Sequence, residues 1–87
     1  MTNEELLQFP CEFPIKIFGQ DNDLLRQTVR SIIERHCGEL DDNRVSERKS
    51  SGGRFVSITA TIRVENRAQI DSIYQDLCAS PHVVMSL

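Results

Sequence analysis

The stretch from Arg54 to Val64 constrains this chain more than any other. Val56, Ile58, Ala60, Ile62 and Val64 fall on one side of it, and Phe55, Ser57, Thr59 and Thr61 on the other. Strict alternation is the period of a β-strand with one buried face and one wet face. The β-branched content suits a pleated surface. The rest of the chain therefore has to supply sheet neighbours for this strand and a layer to cover its aliphatic side.

A second alternation starts at Phe13. Phe13, Ile15 and Ile17 share one face, Pro14, Lys16 and Phe18 the other, and Gly19 closes the run. Pro10 and Pro14 favour extended chain before each of them, so residues 1–12 read as an extended arm. Asp21, Asn22 and Asp23 offer capping side chains for a helix with the apolar stripe Leu25, Val29, Ile32 and Ile33, extended by His36. Gly38 is its natural stop. Residues Asp41 to Lys49 are polar except Val45 and read as a short edge strand, whose cations discourage further pairing. Ser50-Ser51-Gly52-Gly53 supplies a hairpin turn.

Asn66 and Gln69 have capping-box spacing ahead of a second stripe, Ile70, Ile73, Tyr74 and Leu77. Ser80-Pro81 ends that helix. Val83, Met85 and Leu87 make a last strand, with Val84 and Ser86 facing the other way. The order βαββαβ predicts an α+β, ferredoxin-like sandwich: a four-stranded antiparallel sheet with two helices on one face. Residues 1–87 form a single domain, with the arm 1–12 leading into the core 13–87.

Composition acts mainly by exclusion. Hydrophobic and charged fractions of 39% and 26% are those of a globular chain, and 87 residues allow only a thin core. A net charge of −3 and a pI near 5.3 offer no global attraction to nucleic acid or an anionic membrane. No apolar run approaches the roughly 20 residues of a membrane span. The acidic start Met1-Thr2-Asn3-Glu4-Glu5 lacks the regions of a signal peptide. Cys11, Cys37 and Cys78 are odd in number and lack a C-x-x-C pair, which favours a reducing cytoplasm over a disulfide framework.

Three chemistries deserve weighing. His36-Cys37 and Cys78-x-x-x-His82 hold ligand types that zinc accepts. Both cysteines lie near helix C-termini, and antiparallel helices put those termini about 18 Å apart, so no metal site is expected. Catalysis lacks its motifs: there is no G-x-S-x-G elbow, P-loop or GxGxxG, and His36 and Cys37 point about 100° apart on a helix. Acylphosphatases share the element order but need an arginine in the first strand–helix loop, which here reads Gly19-Gln20-Asp21-Asn22-Asp23. The chain is expected not to be an enzyme and to need no cofactor. RNA binding is the rival, because RRM domains have the same order and stack bases on rings of the third strand. Ser51-Gly52-Gly53-Arg54-Phe55-Val56-Ser57-Ile58 keeps only part of that pattern, and Lys16 stands where a ring is wanted on the first strand.

What remains is the sheet face away from the helices. Lys16 and Phe18 should lie beside Phe55, Ser57, Thr59 and Thr61, with Val84 and Ser86 from the last strand. Such a face is ordinarily solvated. Phe18, Phe55 and Val84 around Lys16 nevertheless form an apolar group suited to a protein partner or to self-association.

Fragments spread along the chain resemble the YbeD-like family of small bacterial proteins. They are Leu6-Leu7-x-Phe9-Pro10 with Phe13, Lys16, Gly19-Gln20, Ser50-Ser51-x-Gly53-x-Phe55-x-Ser57, Tyr74-x-x-Leu77 and Val83-x-Met85-x-Leu87. The resemblance implies a βαββαβ domain similar to the ACT regulatory domains that bind amino acids. By that analogy Gly19, Gln20 and Asp21 form a candidate ligand loop for a small metabolite, although Gly19 is also explained by a plain backbone turn. The reading is a non-catalytic, cytoplasmic regulatory or adaptor domain, ACT-like in build. It acts through Lys16, Phe18 and Phe55 on a partner face, or through that loop. The alternative is an RNA-binding module of RRM-like topology.

Overall fold

The structure, a computed structural model, describes residues 8–87. The elements in chain order are β1 (Cys11–Gln20), α1 (Asp23–Cys37), β2 (Val45–Lys49), β3 (Phe55–Val64), α2 (Arg67–Ala79) and β4 (Val83–Ser86), with a 3-10 turn at Asp42–Arg44 before β2. All strand pairs are antiparallel in the order β2-β3-β1-β4, which is the expected ferredoxin-like arrangement. The alternating strand becomes β3, and it is central. Val56, Ile58, Ala60, Ile62 and Val64 are buried with Ile15 and Ile17 of β1 under Leu25, Val29, Ile32 and Ile33 of α1 and Ile70, Ile73 and Leu77 of α2.

The helix boundaries follow from local chemistry. Asn22 caps α1 by accepting from the Leu25 amide at 2.8 Å, and Gly38, at φ 80°, donates its amide to the Glu34 carbonyl. Asn66 caps α2 by accepting from the Gln69 amide at 2.9 Å. Gln69 reaches back to the Glu65 amide at 2.7 Å, one residue before the position a standard capping box uses.

The strand starts and ends hold the differences. β1 begins at Cys11, two residues before Phe13, because Cys11 and Glu12 pair with Val64 and Arg63. Of the expected arm 1–12, residues 8–10 precede the sheet, and 1–7, including Leu6-Leu7, lie outside the described residues. β2 is shorter than Asp41–Lys49. Asp41 instead caps the 3-10 turn through the Asn43 amide, and Leu40, just before it, is buried.

The main departure is in β4. Phe18 pairs with Met85 but Gly19 pairs with Val83, so Val84 is an extra residue and the strand carries a bulge. Alternation read straight through Val83, Met85 and Leu87 therefore fails at Val84. Val83 packs on the core, whereas Met85 comes to the opposite face beside Phe18.

Backbone hydrogen bonds fix the direction of β1. The Lys16 amide donates to the Leu87 carbonyl at 3.0 Å, and the Leu87 amide returns to Lys16 at 2.8 Å. Pro14, two residues away, has the same orientation, so its missing N–H points away from β3 to a margin that β4 does not reach.

Candidate binding face

Register and burial together define the face turned from the helices. One cross-strand row runs Arg48, Ser57, Phe18 and Met85; the next runs Ser46, Thr59, Lys16 and Leu87. Phe55 lies diagonal to Phe18, opposite Gln20. Lys16, Phe18 and Phe55 are thus brought together as the sequence predicts. The expected neighbours from β4 are corrected: the bulge places Ser86 opposite buried Ile17, and Met85 and Leu87 take the positions beside Phe18 and Lys16. Val84 stays outside the regular rows and is the most exposed of the group.

The face is apolar to an unusual degree for a wet sheet. Phe55, Met85, Leu87 and Val84 are exposed by 40%, 50%, 62% and 67%, and Phe18 is half-buried among them. A cleft of about 520 Å³ runs along Phe18, Arg48, Ser50, Ser51, Phe55 and Ser57. Its upper wall is the hairpin turn, where Gly53 takes φ 72° and the Ser50 hydroxyl accepts from the Phe55 amide at 3.2 Å. Lys16 and Arg48 have no carboxylate partner among the described residues. The one carboxylate on this face of the strands, Glu12, sits at its far end and is ion-paired to Arg44.

The predicted ligand loop is mostly strand. Gly19 and Gln20 belong to β1, and Gly19 is buried. A β-carbon there would meet the His82 carbonyl oxygen at 2.6 Å and a Leu25 methyl at 2.8 Å, so close packing explains this glycine. Asp21 is occupied too. It accepts from Arg26 at 2.5 Å and lies 3.4 Å from Lys49. Arg26 also grips Glu47 of β2 through two hydrogen bonds, of 2.9 and 2.8 Å, tying α1 to the edge strand. Hydrogen bonding to Arg26 holds both the Asp21 and Glu47 carboxyls below the usual carboxylate range. An ammonium ligand at Asp21 would have to displace that guanidinium.

The histidines and cysteines serve separate local contacts. His36 Nε2 lies 2.6 Å from the Asp76 carboxylate, which Arg35 also approaches at 3.3 Å, and the His36 bond holds Asp76 below its ordinary pKa. Burial pushes the Cys37 thiol up, opposed by a hydrogen bond from the Gln69 side chain. Cys78 is exposed. Among the described residues no three His, Cys, Asp or Glu side chains gather closely enough to hold a metal ion, and no helix is long and apolar enough to cross a membrane.

The family model described as a protein of unknown function (DUF493) matches residues 4–87. The chain belongs to this family. Among DUF493-like relatives, the UPF0250 protein of Nitrosomonas europaea is 41% identical over 87 residues and covers 100% of both chains. That of Paraburkholderia phytofirmans is 40% identical over 86 residues, with 99% of this chain and 97% of the relative covered. The solution structure of protein HP0495 from H. pylori superposes with a TM-score of 0.74 over 100% of this chain and 94% of the other. At 18% identity that likeness concerns the fold. The fragments that resemble the YbeD-like proteins therefore mark a DUF493 chain, and its sheet is the expected one.

Sequence reasoning missed Arg48, Met85 and Leu87. Arg48 joins the face only once the hairpin register sets it opposite Ser57, which a five-residue polar strand does not reveal. Met85 and Leu87 depend on the bulge. The available signal was their size: two large apolar residues near the end of a four-residue edge strand exceed what one thin core requires.

Proposed function

We propose that this domain is a non-catalytic, cytoplasmic regulatory or adaptor module that works by holding a protein partner on its open sheet face. One observation carries the reading. Four apolar side chains, Phe18, Phe55, Met85 and Leu87, gather on a surface where an antiparallel sheet normally presents polar groups to water. Aromatic residues and methionine at the centre of a patch with a polar rim are the usual make-up of an interface. Ser46, Ser57, Thr59 and Thr61 border these side chains with hydroxyl groups, and Lys16 and Arg48 add two cations to the same rows. The ACT-like order of elements agrees with a regulatory role but, as an analogy of fold, adds little weight.

The test is to change the face without touching the core. Phe55→Ser and Met85→Ser should keep the melting temperature close to that of the parent. Each should remove the partner that the parent protein retains from a bacterial lysate, since central aromatic anchors often contribute about 2 kcal/mol or more. Retention of the same partner by both variants would end the reading.

A second reading has its own observation. Phe18 on β1 and Phe55 on β3 are diagonal neighbours beside Arg48, which is how RRM sheets offer rings to bases. RNA held there would come off a column steeply with salt, because phosphate contacts release counterions. A protein complex centred on apolar contacts would come off with a shallow dependence.

A further inference from the structure

The charge on the open face says what kind of partner fits it. The inference rests on the proposed binding role of that face and adds the chemistry of what binds. The chain as a whole is acidic, at −3, yet the central rows of this face carry Lys16 and Arg48 and no carboxylate. Of the neighbouring cations, Arg26 is engaged with Asp21 and Glu47, and Lys49 with Asp21. Arg54, at the start of the hairpin's return, lies outside the rows. Among the described residues, Lys16 and Arg48 have no carboxylate partner, which leaves them to a ligand.

Their placement is informative. Arg48 and Lys16 are two strands and two residues apart, which strand spacings of about 4.8 Å and a rise of about 3.4 Å per residue convert to about 12 Å between backbones. Ser57 and Thr59 of the intervening strand lie between them, with Phe18, Met85 and Leu87 on the Lys16 side and Phe55 beside Ser57 on the other. Two cations set among apolar side chains are the complement of a segment in which carboxylates alternate with aliphatic side chains. We propose that the open face receives an acidic, aliphatic-rich segment of a partner protein, with its carboxylates on Lys16 and Arg48 and its apolar side chains on Phe18, Phe55 and Met85.

The same charges argue against the other occupants. Two copies stacked face to face would bring two sets of Lys16 and Arg48 into one interface with no central carboxylate, a like-charge arrangement that disfavours the pairing. A nucleic acid gains most of its affinity from many phosphate contacts, and two free cations within an acidic molecule offer few.

A displayed library of random dodecapeptides, selected on the intact protein, tests the proposal. Selected sequences should be enriched in Asp and Glu interspersed with Leu, Ile, Val or Phe. Bound peptide should shift the amide resonances of Lys16, Phe18, Ser57 and Met85. The doubly substituted K16E/R48E protein, checked by its melting curve for an intact fold, should bind those peptides at least tenfold more weakly. Selected afresh, it should enrich Lys and Arg. Neutral or basic peptides that bind the parent face would overturn the partner chemistry and leave the binding role of the face standing. Peptides that shift resonances elsewhere, or a selection that yields none, would remove both. Oligouridylate binding on this face more tightly than any selected peptide would overturn the proposal in favour of nucleic acid.

Discussion

A methyl group at position 19 would sit 2.6 Å from the His82 carbonyl oxygen, in the seam where β1, β4 and α1 meet. Gly19→Ala is therefore expected to destabilise the fold by about 1–3 kcal/mol through overpacking, read as a lower urea midpoint. An unchanged midpoint would mean that the Val83 end of β4 moves aside freely. The sequence suggests a turn glycine at this position, because the two atoms that crowd it come from other elements. Packing of that sort has no local signature. Residues whose role is set by alternation are legible, and Ile58 and Thr59 make the contrast. Ile58→Ala empties a position that is 2% exposed and should cost about 2–5 kcal/mol, while Thr59→Ala, on the open face, should cost much less. Equal losses would mean that β3 presents its faces the other way round.

Elements differ in how much of them can be read in advance. α1, α2 and β3 follow from stripes, caps and alternation, each of which is written within one segment. β2 and β4 do not, because a short edge strand takes its register from its neighbour, and a single extra residue, Val84, reverses which side chains face the helices. That is why Met85 belongs to the open face although its place in the chain pattern pointed to the core. The attachment of β2 to α1 depends on Arg26 holding Asp21 and Glu47. Both carboxyls titrate below their ordinary values in the folded protein. Groups with a depressed folded pKa add stability that is complete above the unfolded pKa, about 4, and is lost as pH falls through the folded one. Melting temperatures should thus hold steady from neutral pH to about pH 5 and fall below about pH 4. Arg26→Gln should lower the neutral value and flatten the acid decline. A decline of equal steepness in the variant would assign the acid sensitivity to other carboxylates, such as Asp76.

For the molecule as a whole, small size makes binding easy to detect. A peptide that occupies the open face at about 100 times its Kd should stabilise the native state by about 2.7 kcal/mol. In a domain this small each kcal/mol moves Tm by roughly 4–8 °C, so a shift of about 10–20 °C is expected in a thermal scan. No shift with a peptide already known to bind would mean that it also binds the unfolded chain. The fold was legible at this scale because the order of elements leaves few topologies, whereas the candidate face depends on tertiary register. A face proposed to receive a partner must also avoid the wrong one. Pro14 bears on that requirement. A fibril grows when each incoming strand finds an unbroken ladder of donors and acceptors along the margin of the last one. Beside β1 that ladder has a missing rung at Pro14, and alongside it β4 is kinked by the Val84 bulge. An incoming strand along that margin would meet a gap at Pro14 and a kink at Val84, which makes the margin a poor template for edge-to-edge pairing.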